Sequence, residues 1–375
     1  MLRLTRLTLT RFRSYEALTW APEARVSVVT GPNGSGKTNL LEAISLLVPG
    51  RGLRHARIGE FGRHGSAWGV AGRLQRDGLE REIGTGTPPE GPLERRVFRL
   101  DGAAVRNQAD IAAVAAAVWL TPQMDRLFGE AASGRRRFLD RLVWALEPGH
   151  AREVSAYETA MAGRSRLLAA GGADPAWLSG LEDSMARHGV AVTAARAGLV
   201  SRLNAEMAAG AAGPFPAARI GLVDGLAERL AAEPALAVED WLRARLRECR
   251  GSDGSGPTRF GAHRADMTLA DRDTGLAAAL ASTGQQKALL IGVVLGHAGL
   301  IASARGEAPL LLLDEPAVHL DATRRAALWR ALAAGPAQVV LTGTDEAAFA
   351  GLEGAAAFWL SGDGLLRRNP GRNGP

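Results

Sequence analysis

The chain has 375 residues, 46% of them hydrophobic and 22% charged, and a formal net charge of +6. That composition describes two or three globular units and excludes a disordered chain. The single cysteine, Cys249, excludes a disulfide framework or a zinc site built on several thiolates, and it fits a reducing, cytoplasmic setting. The basic residues are 43 arginines and two lysines, Lys37 and Lys287. Ala and Gly are also abundant, so the arginine bias reflects genome composition, and the net charge is only a weak pointer to an anionic partner.

In chain order, Leu2/Leu4 and Leu7/Leu9 alternate with Arg and Thr, the pattern of half-buried strands, and lack the continuous apolar core of a signal peptide. The parity shifts between Leu4 and Leu7, which predicts a bulge or bend there. Arg25 to Thr30 is a β-branched run that ends in Gly31-Pro32-Asn33-Gly34-Ser35-Gly36-Lys37-Thr38, a match to the phosphate-loop pattern G-x-x-x-x-G-K-[ST]. Glycines let backbone N–H groups turn toward phosphates. Lys37 supplies a compact charge for the β- and γ-phosphates of ATP, and the Thr38 hydroxyl is a ligand for Mg²⁺. An amphipathic helix is predicted over Asn39 to Val48, stopped by Pro49-Gly50, its positive end toward the anion. Asp77-Gly78 and Asp101-Gly102 sit between alternating runs and predict hairpin turns, hence an antiparallel sheet beside the phosphate-binding strand.

From about Ser133 to Arg250 the chain reads as helical, with breaks at Gly171-Gly172, Gly210 to Pro216 and Gly251 to Pro257, the last a linker or mobile loop. Ser282 to Ala302 reads as a long buried helix. Its most apolar run, Ala288 to Ala302, is about one turn too short to span a bilayer and contains His297, so no membrane is expected. Leu310 to Leu313 is a buried strand that ends in Asp314-Glu315, the Walker B arrangement. There Asp314 would hold Mg²⁺ and Glu315 would act as general base on the attacking water. Gln338 to Thr342 is another strand. Ser282-Thr283-Gly284-Gln285 lies 32 residues before Asp314 and has the form of an ABC-type signature. It reads either as a γ-phosphate contact made to a second subunit's ATP or as a helix N-cap, two roles that are compatible. Leu320-Asp321 has the spacing of a D-loop. Gln123, after Val118-Trp119-Leu120-Thr121-Pro122, is a Q-loop glutamine or a solvent-facing turn residue. Lys287 reads as a signature-helix contact or a surface residue.

These residues together resemble the RecF family of bacterial recombination-mediator ATPases, relatives of SMC-type proteins. The resemblance rests on Leu7-Thr8-Leu9-Thr10-Arg11-Phe12-Arg13-Ser14-Tyr15, on Asn33-Gly34-Ser35-Gly36-Lys37-Thr38-Asn39-Leu40-Leu41-Glu42-Ala43-Ile44, on Arg135-Arg136-Arg137-Phe138-Leu139-Asp140, on Gly261-Ala262-His263-Arg264-Ala265-Asp266 (the family usually has Pro at the second of these) and on the Ser282 to Gln286 signature. Thr342-Gly343-Thr344 resembles the family's Thr-rich segment, in place of the histidine many ABC ATPases carry there. The resemblance implies an α/β fold: an ABC-type ATPase head with an antiparallel β subdomain, plus an inserted helical lobe. The expected bounds are 1–132 for the first half of the core, 133–257 for the lobe and 258–375 for the second half. Lys37 and Asp314 are 277 residues apart, too close for the sustained heptads of a long coiled coil.

The resemblance further implies a weak, DNA-stimulated ATPase that dimerises with ATP and clamps double-stranded, gapped or single-stranded DNA without sequence preference. It acts in recombinational repair with RecR- and RecO-type mediators and the RecA recombinase. Arg13, Ser14, Gln123, Ser282, Gly284, Gln285 and Asp321 join the phosphate loop as expected nucleotide contacts. Arg51, Arg54, Arg57 and Arg63, and also Arg135, Arg136 and Arg137, are candidate DNA contacts. In a chain with 43 arginines, each cluster reads equally as a solvated face or an internal ion pair. Two other classes stay open: an SMC-like head of nuclease-associated or anti-phage role, and a transporter ATPase.

Overall fold

The computed structural model describes residues 1–88, 90–171, 174–362 and 364–369. The chain divides into two compact units. The first is Met1–Arg126 with Glu206–Ala218 and Asp271–Pro375, and the second is Leu127–Ala205 with Arg219–Ala270. The expected lobe, 133–257, thus differs from the second unit at both ends, and Glu206–Ala218 groups with the first unit.

The first unit holds two six-stranded sheets. The antiparallel one is built from β1 (Arg3–Phe12), β2 (Tyr15–Trp20), β4 (Gly69–Arg76), β5 (Leu79–Gly86), β6 (Val97–Leu100) and β7 (Ala103–Val105), in the order β2-β1-β4-β5-β6-β7. The parity shift at its start is a real irregularity: the β1–β4 register slips between Leu4 and Arg6. The buried Gln338 amide pairs with both backbone groups of Leu4, which β2 does not reach. Asp77-Gly78 and Asp101-Gly102 do turn β4 into β5 and β6 into β7, all four at positive φ.

The second sheet contains β3 (Val26–Thr30), β8 (Ala117–Leu120), β11 (Leu310–Leu313), β12 (Val339–Gly343), β13 (Ala356–Gly362) and β14 (Leu365–Arg368), in the order β14-β13-β3-β12-β11-β8. All its pairings are parallel except that of β14. Every residue of β3, β11 and β12 is buried, as expected of Val- and Leu-rich strands covered on both faces.

Among the described residues, four α-helices lie wholly in this unit: α1 (Lys37–Ser45), α2 (Gln108–Val114), α9 (Thr283–Arg305) and α10 (Ala322–Ala334). The expected amphipathic helix through Val48 is corrected twice. α1 ends at Ser45, and it is buried nearly all round, Glu42 included. The Arg96 guanidinium closes its end by donating to the carbonyls of Leu46, Val48 and Gly50. The whole helix α9, 23 residues with the apolar run inside it, is long and apolar enough by length and composition to cross a bilayer, which the run alone did not suggest. Most of that stretch is buried within the protein.

The second unit carries α3 (Ala132–Leu146), α4 (His150–Ala170), most of α5 (Pro175–Ala208), α6 (Gly225–Leu230), α7 (Ala235–Glu248), α8 (Arg250–Asp253) and the two-stranded sheet of β9 (Ala218–Val223) and β10 (Asp266–Asp271). Gly172 lies outside the described residues. The core of this unit is Tyr157, Met185, Val190, Val238, Leu242 and Leu246. Arg164, fully buried, donates to Glu182, Asp253 and the Leu246 carbonyl. That bond overturns the reading of Gly251 to Pro257 as a mobile loop: its first residues form α8, and Asp253 is an anchored, buried carboxylate.

Candidate ATP-binding and hydrolysis site

The phosphate loop joins β3 to α1 at the C-terminal edge of the parallel strands, where open α/β sheets place ligands. Glycine is required at Gly36: φ is 103° and a Cβ would stand 2.8 Å from Ser14 Oγ and 2.9 Å from Tyr15 Oη. Gly31 is equally constrained, with a Cβ position 2.4 Å from the Ser361 carbonyl. Pro32, Asn33 and Gly34 are exposed. Lys37 Nζ donates to the carbonyls of Gly31 and Pro32, both at 2.8 Å. Burial pulls the Lys37 ammonium below its ordinary pKa, against the opposing pull of Glu315 and Asp314.

Around the loop sit Tyr15 and Ser361, whose part the sequence did not assign, and Ser14, expected as a nucleotide contact. Tyr15 Oη donates to the Gly36 carbonyl at 3.1 Å and Ser361 Oγ to the Ser35 carbonyl at 2.8 Å. Ser14 Oγ accepts from Asn39 Nδ2 at 2.9 Å. Arg13, expected as a nucleotide contact, is committed elsewhere. Its Nε and Nη2 grip the buried Glu42 carboxylate at 2.8 and 3.0 Å, and Nη1 donates to the Glu60 carbonyl. It braces α1, a role its bidentate fork suits.

β11 delivers the carboxylates. Asp314 Oδ1 accepts from Thr38 Oγ1 at 3.0 Å and from Thr342 Oγ1, at the end of β12, at 2.6 Å. Three parallel strands thus place Thr38, Asp314 and Thr342 together, although Thr38 and Asp314 are 276 residues apart in sequence. Glu315 follows at φ 48°. Its N–H donates to Thr342 Oγ1 at 3.1 Å, and its carbonyl accepts from Lys287 Nζ at 3.1 Å. Thr342, read from the sequence only as part of a Thr-rich segment, links the two carboxylate residues.

Ser282 and Gln285 form a reciprocal capping box at the start of α9, and both are exposed. Gly284 lies against the turn after β11, where a Cβ would stand 2.9 Å from the His319 carbonyl. Asp321 caps α10 through the Arg324 N–H at 2.8 Å. Gln123 is exposed in the 3-10 turn Pro122–Arg126. Two residues on, Asp125 Oδ2 pairs with Lys287 Nζ at 3.2 Å.

The two arginine clusters differ. Arg51, Arg54 and Arg57 are exposed, although Arg54 also bonds Asn39, and Arg63 pairs with Glu16. In the second cluster Arg135 is bidentate to Asp266 at 2.7 and 2.8 Å, its third nitrogen on the Leu127 and Glu130 carbonyls. Arg136 donates to the Ala265 carbonyl. Only Arg137 of the three is exposed, so the run does not present one basic face. Asp140, four residues on from Arg136, is held by Arg196 and His150.

Comparison with known proteins settles the lineage. The AAA domain family matches residues 6–67. The DNA replication and repair protein RecF of Rhizobium johnstonii is 45% identical over 372 residues, covering 97% of this chain and 98% of that protein. RecF of Mesorhizobium japonicum is 47% identical over 360 residues, covering 95% of each. The chain belongs to the RecF family.

Membership in the RecF family places it among DNA replication and repair proteins and sets the transporter reading aside. The solved structure of the recombination mediator protein RecF-ATPγS in the RecFOR pathway is 21% identical, with a TM-score of 0.84 over 98% of both chains. The SMC head of Pyrococcus furiosus bound to the C-terminal domain of ScpA reaches 0.51 at 15% identity, over 98% of this chain and 96% of that one. The fold is therefore that of an SMC-like, ABC-type ATPase head, as expected for the RecF family.

Proposed function

We propose that the chain is an ATP-dependent DNA-binding protein of recombinational repair in the cytoplasm, an ATP-driven dimer that closes on DNA and opens after slow hydrolysis. The observation that carries this reading is the 3.0 Å bond between Thr38 Oγ1 and Asp314 Oδ1, because it joins the phosphate loop to the carboxylate strand. The solved RecF structures with ATP and ATPγS support it.

The residues fit MgATP. A threonine hydroxyl and a carboxylate oxygen are hard donors of the kind Mg²⁺ takes, and Thr38 and Asp314 would hold the ion. Bound Mg²⁺ supplies positive charge to the phosphate oxygens. Lys37, now satisfied by two loop carbonyls, has donors to turn toward the phosphates. Glu315 orients the attacking water and takes its proton. Ser282 and Gly284, at the exposed end of α9, contact the partner subunit's nucleotide, with Asp321 and Gln123 at the same boundary. Arg51, Arg54, Arg57 and Arg137 are the exposed candidates for DNA phosphates. Mediators of the RecR and RecO type and the RecA recombinase are the proposed partners, since the related structure is placed in the RecFOR pathway.

The test compares Glu315→Gln with Lys37→Met. Glu315→Gln is expected to slow hydrolysis roughly 100- to 10,000-fold, the range of a lost general base, while keeping ATP-dependent DNA binding. Lys37→Met is expected to lose both. Undiminished hydrolysis in Glu315→Gln would rule out its role as the base.

A further inference from the structure

We propose that Lys287 is a positioning residue for the hydrolytic step: it fixes the Walker B turn through the Glu315 carbonyl and ties that turn to the segment carrying Gln123 through Asp125. The proposal rests on the ATPase reading above.

Lys287 is one of two lysines among 45 basic residues, and its side chain is 1% exposed. It sits in the first helical turn after the signature. Its ammonium reaches two acceptors on different elements, Asp125 Oδ2 at 3.2 Å after β8 and the Glu315 carbonyl at 3.1 Å after β11. A compact ammonium with three rotatable donors serves such divergent acceptors, whereas a planar guanidinium suits a carboxylate fork. The two lysines of an arginine-rich chain thus both stand where a slim cation meets backbone carbonyls at the nucleotide site.

Glu315 needs that hold. At φ 48° a residue with a Cβ is strained, and such strain persists only where the surroundings enforce it. Here Thr342 fixes the N–H side of the Glu315 peptide and Lys287 fixes the carbonyl side. Without Lys287 the turn can relax, and the carboxylate leaves its station. Burial lowers the Lys287 pKa and raises that of Asp125, and the attraction between the two acts against both shifts. The same lysine is five residues from Ser282, so a contact at the signature is transmitted to Glu315 along one helical turn.

The experiment is a double-mutant cycle read by steady-state ATP hydrolysis and by ATP binding. Lys287→Met keeps the aliphatic stem and removes the donor. It is expected to lower kcat roughly 10- to 100-fold, the scale of a displaced catalytic group, with KM and ATP affinity within about twofold of wild type. In the Glu315→Gln background the same change is expected to cost less than about twofold, because its effect passes through Glu315. Asp125→Asn is run in the same cycle, with a loss of kcat in the same direction that also vanishes on Glu315→Gln, so the test stands even where Lys287→Met does not fold. Wild-type kcat in both variants overturns the proposal, as does a loss that multiplies undiminished onto Glu315→Gln. A wild-type chain with no hydrolysis at all is a different result: every arm then reads zero, and the ATPase reading itself falls.

Discussion

Arg13 and Arg135 each use all three guanidinium nitrogens on acceptors within their own unit, although both stand in motifs that suggested outward contacts. The Arg135 hydrogen bond holds the Asp266 carboxyl below its ordinary pKa, with partial burial acting against it. A depressed carboxylate contributes stability above its unfolded pKa, and that contribution disappears as pH falls through the folded value. Asp266→Asn is therefore expected to cost about 1 kcal/mol at pH 7, a modest figure because the pair is partly open to water, and progressively less as pH falls below the ordinary carboxylate range. Thermal unfolding of wild type and variant across that range measures it, and a pH-independent difference would contradict the assignment. At this scale the sequence singled out Lys37, Thr38 and Asp314 from motif position alone, and the fold brings Thr38 and Asp314 within hydrogen-bond distance. The sequence did not reveal Tyr15, Glu42, Asp125 or Ser361, because their partners come from strands and turns that only the folded chain brings near.

Several elements are tied together by buried arginines. Arg164 of α4, fully buried, bridges Glu182 of α5, Asp253 of α8 and the C-terminal turn of α7 through the Leu246 carbonyl. Removing one member of such a network leaves uncompensated charge, so Arg164→Met is expected to destabilise the helical unit by about 3–5 kcal/mol in chemical denaturation. A change below about 1 kcal/mol would mean that the carboxylates are solvated or neutral there. The longer elements were legible: β3, β11, β12, α4, α5 and α9 carry Val and Leu runs or three- and four-residue periodicity. β8, β13 and β14 were not read as strands. Ala117-Val118-Trp119-Leu120 and Ala356-Ala357-Phe358-Trp359 begin with alanines in an alanine-rich chain, so tertiary pairing, not local propensity, makes them strands.

For the molecule as a whole, the proposed DNA binding through phosphates would make affinity fall steeply with salt. Each lost contact lowers the log–log slope by about 0.9. Arg51→Ala with Arg57→Ala is expected to reduce that slope by up to about 2, whereas Arg136→Ala, a half-buried residue whose Nη1 donates to the Ala265 carbonyl, leaves it unchanged. Equal slopes in all three proteins would clear the exposed arginines of any role. The SMC-like head was legible because its motifs lie at both ends of the chain. The split of the middle segment was not, since nothing in the composition of Glu206–Ala218 marks it as part of the first unit. The central claim is that ATP held between two copies closes them on DNA. Sedimentation with duplex DNA, with and without ATP, for wild type and Ser282→Arg tests it most directly. The expected result is a dimer on DNA only for wild type with ATP, and an ATP-binding monomer with weak DNA affinity for Ser282→Arg. DNA binding that ignores both ATP and the Ser282 change would contradict the account.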